Sequence, residues 1–310
     1  MTADILFALL PIILLIALGM VLRQQRFLNE GFWPQAERLG YYVLLPCLFI
    51  HGLATAQLEA VPVRELALTL ILSTVAVAAF VVMLRPFMKI EGPAFTSVFQ
   101  GSVRFNNYVG VTLASGLFGA KGIALAAICN AAIVPTVNIL CVMVFAKHGT
   151  ARLSGRGVLK QVVLNPLVMS SFIGIVFQVL GIGLPPGIEP AMRALGTASL
   201  PLGLLCVGAA LHFSNAKQWV GPVVASSLVK FLAMPLATII MSMIIGLKGS
   251  ALATALLFQA LPTASSAYIL ARQLGGDAPL MAGITATQTV LALVTLPMVW
   301  IAATALMGML

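Results

Sequence analysis

Of the 310 residues, 61% are hydrophobic and only 8% charged, and the mean hydropathy is +1.09, which excludes a soluble globular domain and marks a polytopic membrane protein. The net charge of +9 does not point to nucleic acid, because its carriers sit mostly in the connections between apolar runs, as the positive-inside rule requires.

A helix needs about 20 apolar residues to cross the hydrocarbon layer, and ten such runs are predicted. The first, near 5–23, contains Pro11 and Gly19. It follows Asp4 with no basic segment before it, so a retained helix is expected and not a cleaved signal peptide. Span two (36–56) holds Pro46, Cys47 and His51, and span three covers 63–85. Span four (95–117) places Gly101, Arg104, Asn106, Asn107 and Gly110 near mid-depth, a poor recipe for an unbroken lipid-facing helix. Span five (122–146) carries Cys129, Asn130 and Cys141, and a basic segment, residues 147–160, follows it. Spans six (161–183) and seven (190–212) come next, then span eight (218–245) with Ser226, Ser227 and Lys230. Span nine (249–272) has Pro262 in mid-run, which removes a backbone donor and kinks or breaks the helix. Span ten covers 279–308. The four cysteines all lie inside apolar runs and read as small buried hydrophobes without disulfides.

The chain matches itself when slid by half its length. Pro11, Gly19, Ala36, Arg38 and Pro46 recur as Pro166, Gly174, Ala191, Arg193 and Pro201, and the offset then drifts until Phe99-Gln100 answers Phe258-Gln259. With 17 prolines in 310 residues, two proline matches in register with an arginine and a glycine are not accidental. Five spans per copy is odd, so the second copy enters the membrane in the opposite orientation. The fold expected is all-α: ten transmembrane helices in two inverted five-helix repeats, residues 1–146 and 161–310, joined by a cytoplasmic linker at 147–160. Basic residues border mainly the connections after odd-numbered spans, among them Arg23, Arg85, Lys147, Lys160 and Arg272, which puts both termini on the non-cytoplasmic side of the cell membrane.

Most chemistry is excluded by inspection. There is no HExxH, Walker A loop, GxSxG elbow or CxxC pair, and the eight carboxylates all fall at or near span ends or in loops. An intramembrane aspartyl protease or a carboxylate-driven proton pump needs one at mid-depth. The expectation is therefore a non-enzymatic secondary transporter or channel without a cofactor or bound metal, Na+ or H+ coupling remaining open.

Spans four and nine correspond across the repeat. Counting from the Phe-Gln pairs, Asn106 and Asn107 fall opposite Ser265 and Ser266. Two broken helices related by inversion cross at the midplane, each offering a half-helix N-terminus that attracts anions. A central arginine costs at least ~2.5 kcal/mol on insertion scales, so Arg104 beside two asparagines reads as a substrate pathway. Ser265 and Ser266 alone would be satisfied as interhelical hydrogen bonds. Lys230 reads as a counter-charge, as an occupant of a coupling cation's place, or as a partner of helix-end carbonyls. Gln100, Gln259, Asn130 and Gln288 are candidates for neutral oxygens around Na+. His51 reads as a structural residue, with protonation as the weaker alternative.

These residues resemble a family, the auxin efflux carriers, whose bacterial members include malonate and malate permeases. The resemblance runs over essentially the whole chain. It rests on Leu10-Pro11 with Ala17-Leu18-Gly19, Leu45-Pro46 with Leu48-Phe49, Arg104 to Gly110, Asn165-Pro166, Leu200-Pro201 with Gly208, and Leu261-Pro262 with Ala267 to Arg272 and Gly275. It implies a fold like the bile-acid sodium symporters, with helices four and nine broken and crossed. Spans 3–5 and 8–10 would form a mobile transport domain of elevator type, and spans 1, 2, 6 and 7 a scaffold that carries a homodimer contact. By the same resemblance the crossover falls at Asn106–Val111 and Pro262–Ser266. Thr112 follows Gly110-Val111, so the proline that plant members carry just after the glycine of the fourth helix is missing here. The function expected is transport of a small mono- or dicarboxylate, malonate- or malate-like, across the bacterial inner membrane. In that reading Asn106, Asn107, Ser265 and Ser266 bind the carboxylate, Arg104 supplies charge, and Tyr108, Gly110, Pro262, Thr263 and Tyr268 line the site. The alternatives are export of an aromatic or indolic carboxylate flanked by Tyr108 and Tyr268, and, from another class, a membrane receptor or scaffold.

Overall fold

The computed structural model describes residues 2–55, 61–149, 164–211, 220–264 and 266–309. Of the linker expected at 147–160, residues 150–160, with Arg152, Arg156 and Lys160, lie outside the described residues, as does Ser265. All regular structure among the described residues is helical, as a backbone in hydrocarbon must be unless it closes a barrel.

The chain runs through α1 (Thr2–Gln24), α2 (Phe32–Leu39), a π-helical turn at Gly40–Leu44, α3 (Leu45–Ala54), α4 (Val63–Leu84) and a 3-10 turn at Arg85–Phe87. It continues through α5 (Gly92–Val103), α6 (Asn107–His148), α7 (Pro166–Leu180) and α8 (Glu189–Ala210). Then come α9 (Val220–Leu228), a second π-helical turn at Val229–Ala233, α10 (Met234–Ile245), α11 (Gly249–Gln259), α12 (Ser266–Leu274) and α13 (Ala278–Met309). The two π-turns interrupt spans two and eight, and nothing in the apolar pattern signals them.

Six helical stretches among the described residues are long and apolar enough to cross a membrane: 7–24, 63–87, 92–148, 189–210, 220–245 and 278–305. The chain is thus a polytopic membrane protein, all-helical in the regular structure of its described residues. The ten apolar runs divide differently for local reasons. Span two is cut by its π-turn, the described part of span six is helical from Pro166, and span nine is broken after Gln259. Spans four and five merge into one stretch that turns at Gly119, whose φ of 58° and ψ of −137° suit a residue without a Cβ.

Close helix contacts are made at glycines that the offset relates. A Cβ on Gly19 of α1 would fall onto the backbone of Leu205 in α8. Its counterpart Gly174 of α7 lies against the Phe49 and Ile50 carbonyls and Leu53 of α3. Ile50 and Leu205 are themselves 155 residues apart, so the α1–α8 and α3–α7 contacts repeat one another. Gly208 meets the Ile16 carbonyl across the same α1–α8 contact. Gly208→Val is accordingly expected to push α1 from α8 and destabilise the protein by about 1–3 kcal/mol, read as an earlier thermal unfolding in detergent. Gly187→Val, at a position with open space around the Cβ, should change little.

In the other group of helices, every residue from Ala94 to Val103 of α5 and from Ala251 to Gln259 of α11 is buried. A helix buried on all sides is enclosed by protein and not by lipid. That enclosure lets the chain stop being helical directly after it.

Candidate functional site

Both expected breaks are present. The first covers Arg104–Asn106, between α5 and α6, and the second lies between Gln259 and Ser266. Asn107 opens the half-helix after the first break, and Ser266, its counterpart in the register counted from the Phe-Gln pairs, lies in the half-helix after the second. One expectation is corrected here. The break in span four reaches only the first residue of the stretch Asn106–Val111, and residues 107–111 are already helical.

This break forms without a proline because the local bonds are replaced. Arg104 (φ −76°, ψ 160°) and Asn106 (φ −91°, ψ 106°) are extended. The Asn106 N–H donates across the molecule to the Pro262 carbonyl at 2.8 Å, joining the two breaks directly. Its side-chain oxygen accepts from the N–H groups of Tyr108 (3.1 Å) and Val109 (3.3 Å), an N-cap for α6. Phe105 packs on Phe258 with ring centroids 5.8 Å apart, and Gly110 sits against Leu261 and Phe258.

Gln288 of α13 holds both breaks at once. Its Oε1 accepts from the Thr263 N–H at 3.0 Å, while its Nε2 donates to the Gly101 carbonyl (3.0 Å) and to Ser226 Oγ (2.9 Å). The residue is fully buried. Its oxygen, expected as a candidate Na+ ligand, already accepts one hydrogen bond, from the Thr263 N–H. Gln259 likewise ties α11 to α4, its Nε2 donating to Leu70 O, Ser73 Oγ and Thr74 Oγ1 at 2.9–3.2 Å. Asn130 donates to Ala126 O at 2.8 Å, but its oxygen has no hydrogen-bond partner, and both amide atoms of Gln100 lack one.

Arg104 is half-buried and donates from Nη1 to Asn138 Oδ1 at 3.1 Å. The Cys141 thiol is a second neighbour, and the guanidinium is near enough to Tyr41 to act on it electrostatically. Tyr41, in the first π-turn, accepts at its hydroxyl from Asn165 Nδ2 at 3.0 Å. Asn138 and Tyr41 were missed in the sequence. The available signal was a second asparagine in span five, Asn138, three positions after Pro135. Asn107 is half-buried beside this region, with its Oδ1 buried and unpartnered. Thr263 is buried with an unpartnered hydroxyl.

The two tyrosines do not make a matched pair. Tyr108 is buried against Gly203 and Gly40, in the contact with α8 and the first π-turn, whereas Tyr268 is 36% exposed on α12. Lys230, in the second π-turn, is fully buried, and its Nζ has no hydrogen-bond partner, so pairing with helix-end carbonyls is not found. His51 Nε2 stands 3.4 Å from Glu189 Oε1, a tie between α3 and α8 away from the breaks. The groove lined by Met88, Ile90, Val98, Gly221, Pro222 and Ala225 contains none of the candidate residues.

Comparison with known proteins adds the remaining evidence. Residues 149–301 match the sequence profile of a family described as "Membrane transport protein". The chain is 23% identical over 292 residues to an "Uncharacterized transporter" of Methanothermobacter thermautotrophicus, covering 93% of this chain and 95% of the other. It is 23% identical over 257 residues to a protein of Rhizobium meliloti named "Putative malonate transporter", covering 76% of this chain and 75% of that one. A transporter of Methanocaldococcus jannaschii is 25% identical over 166 residues, 53% of each chain. Profile and relatives agree with the resemblance read from the sequence: residues 149–301 are similar to the membrane transport protein family, and the relatives are named as transporters.

Proposed function

We propose that the chain carries a small organic anion, a mono- or dicarboxylate of malonate or malate type, by alternating access at the junction of the two broken helices. The observation that carries this reading is the Asn106 to Pro262 hydrogen bond, which puts Arg104, Asn106, Asn107 and Thr263 at one junction. The cap on α6 occupies the Tyr108 and Val109 N–H groups, so bare helix-end donors play a smaller part than half-helix dipoles alone would have. Recognition falls instead to side chains. Because the Asn106 oxygen is fixed in the cap, its amide nitrogen is what remains for a ligand, and an amide nitrogen is a donor only, as a carboxylate requires. Arg104 adds charge in a half-buried setting where electrostatic interactions outweigh those in bulk water. The relative named for malonate supports a dicarboxylate over an aromatic acid, as does the burial of Tyr108 away from Tyr268. In this reading spans 3–5 and 8–10 move against a scaffold of spans 1, 2, 6 and 7, which also forms the homodimer.

Binding is tested by thermal unfolding of the purified protein against a panel of carboxylates, since a ligand of the folded state raises its stability by mass action. Malonate or malate should raise the midpoint in a concentration-dependent way, and indole-3-acetate should do so less. Uptake of label into proteoliposomes then separates a transporter from a receptor, which binds without moving label. The inverted arrangement is tested separately: single cysteines beside Arg156 and beside Lys248 should react from opposite faces of the membrane. Reaction from the same face would refute two inverted five-span halves.

A further inference from the structure

Lys230 is used by nothing described so far. It is fully buried, its ammonium has no hydrogen-bond partner, and it sits in a π-helical turn, a rare irregularity found most often at functional sites. An isolated buried charge is expensive, and the chain's carboxylates all fall at or near span ends or in loops, away from mid-depth.

The surroundings say what the charge sits among. Gln288 links Ser226 of α9 to Gly101 of α5, so the face of α9 bearing Ser226, and one turn on Lys230, is the face turned to α5. The π-turn packs against α5 and α4. These elements bring Gln100, Thr69 and Ser227, all buried, and none of the side-chain oxygens has a hydrogen-bond partner. Neutral amide and hydroxyl oxygens are the ligand type of a hard monovalent cation, and these three lie on the elements packed around the π-turn that carries the Lys230 ammonium with its three N–H donors.

We propose that the Lys230 ammonium is the fixed cation of this half of the molecule, standing where a Na+ ion would otherwise bind, so that anion movement needs no Na+. Removing it should leave a site that takes a small cation from solution. The transport arm of the test rests on the anion reading above, whereas the cation-binding arm does not.

In the first arm, the full-length Lys230→Ala protein is unfolded thermally in methylammonium, Na+ or choline chloride at equal ionic strength. Methylammonium or Na+ should raise its midpoint by roughly 2–4 °C over choline, and the wild type should not distinguish the three salts. A Lys230→Ala protein indifferent to all three, or a wild type stabilised by Na+, overturns the proposal. In the second arm, wild-type malonate uptake should be equal in Na+ and choline media, and Lys230→Met, which keeps the volume without the charge, should lose at least tenfold in both. Lys230→Met at the wild-type rate overturns the proposal even where Lys230→Ala does not fold. A wild type that moves no carboxylate in either medium refutes the anion reading instead and leaves the first arm's result standing.

Discussion

Arg104→Gln is expected to weaken malonate binding by roughly 10- to 100-fold while leaving the protein folded. The magnitude follows from losing a charged hydrogen-bonding partner, about 1.5–3 kcal/mol, at about 1.4 kcal/mol per factor of ten. The fold should survive because Arg104 is half-buried and its side-chain bond to Asn138 lies beside the helix ladders, not within them. Arg104→Lys should retain part of the affinity, since charge persists but the planar fork does not. Equal affinity for wild type and Arg104→Gln would remove the residue from the site.

The second large effect is expected at Gln288. Gln288→Leu leaves the Thr263 N–H and the Gly101 carbonyl without partners in a buried position. Each unsatisfied group costs on the order of 1–3 kcal/mol, so thermal unfolding should move down more than for any single change at the half-buried junction. Carboxylate binding should fall with it, because the separation of the two breaks is set by this side chain. Gln288→Glu is the informative control: it still accepts from Thr263 but no longer donates to Gly101 or Ser226. An intermediate stability is expected, and a Gln288→Leu protein as stable as wild type would show that the bridge contributes nothing.

What the sequence made legible was whatever depends on period and composition. The apolar runs, the 155-residue offset and the Phe-Gln register placed Asn107 opposite Ser266, and each lies in the half-helix that follows its break. Pro262 announces its break because it lacks an N–H. The break at Arg104–Asn106 is harder to see, since it depends on a carbonyl 156 residues away and on a cap supplied by Asn106 itself. Long-range partners were not legible for the same reason. Gln288 reads as a stray amide until Thr263 and Gly101 are brought to it, and Asn138 gains a role only when α6 turns at Gly119 and returns past Arg104. The π-turn around Lys230 leaves no trace in the hydropathy pattern, although the lysine within it does.

The central claim, a carboxylate held where the two broken helices meet, is tested most directly by an experimental structure of the protein with malonate bound. The expected result is a malonate carboxylate within about 3 Å of the Arg104 guanidinium and of the Asn106 or Asn107 side chain, beside the Asn106 to Pro262 bond. Malonate bound instead between α3 and α8, near Pro46 and Pro201, with the junction unoccupied, would contradict it.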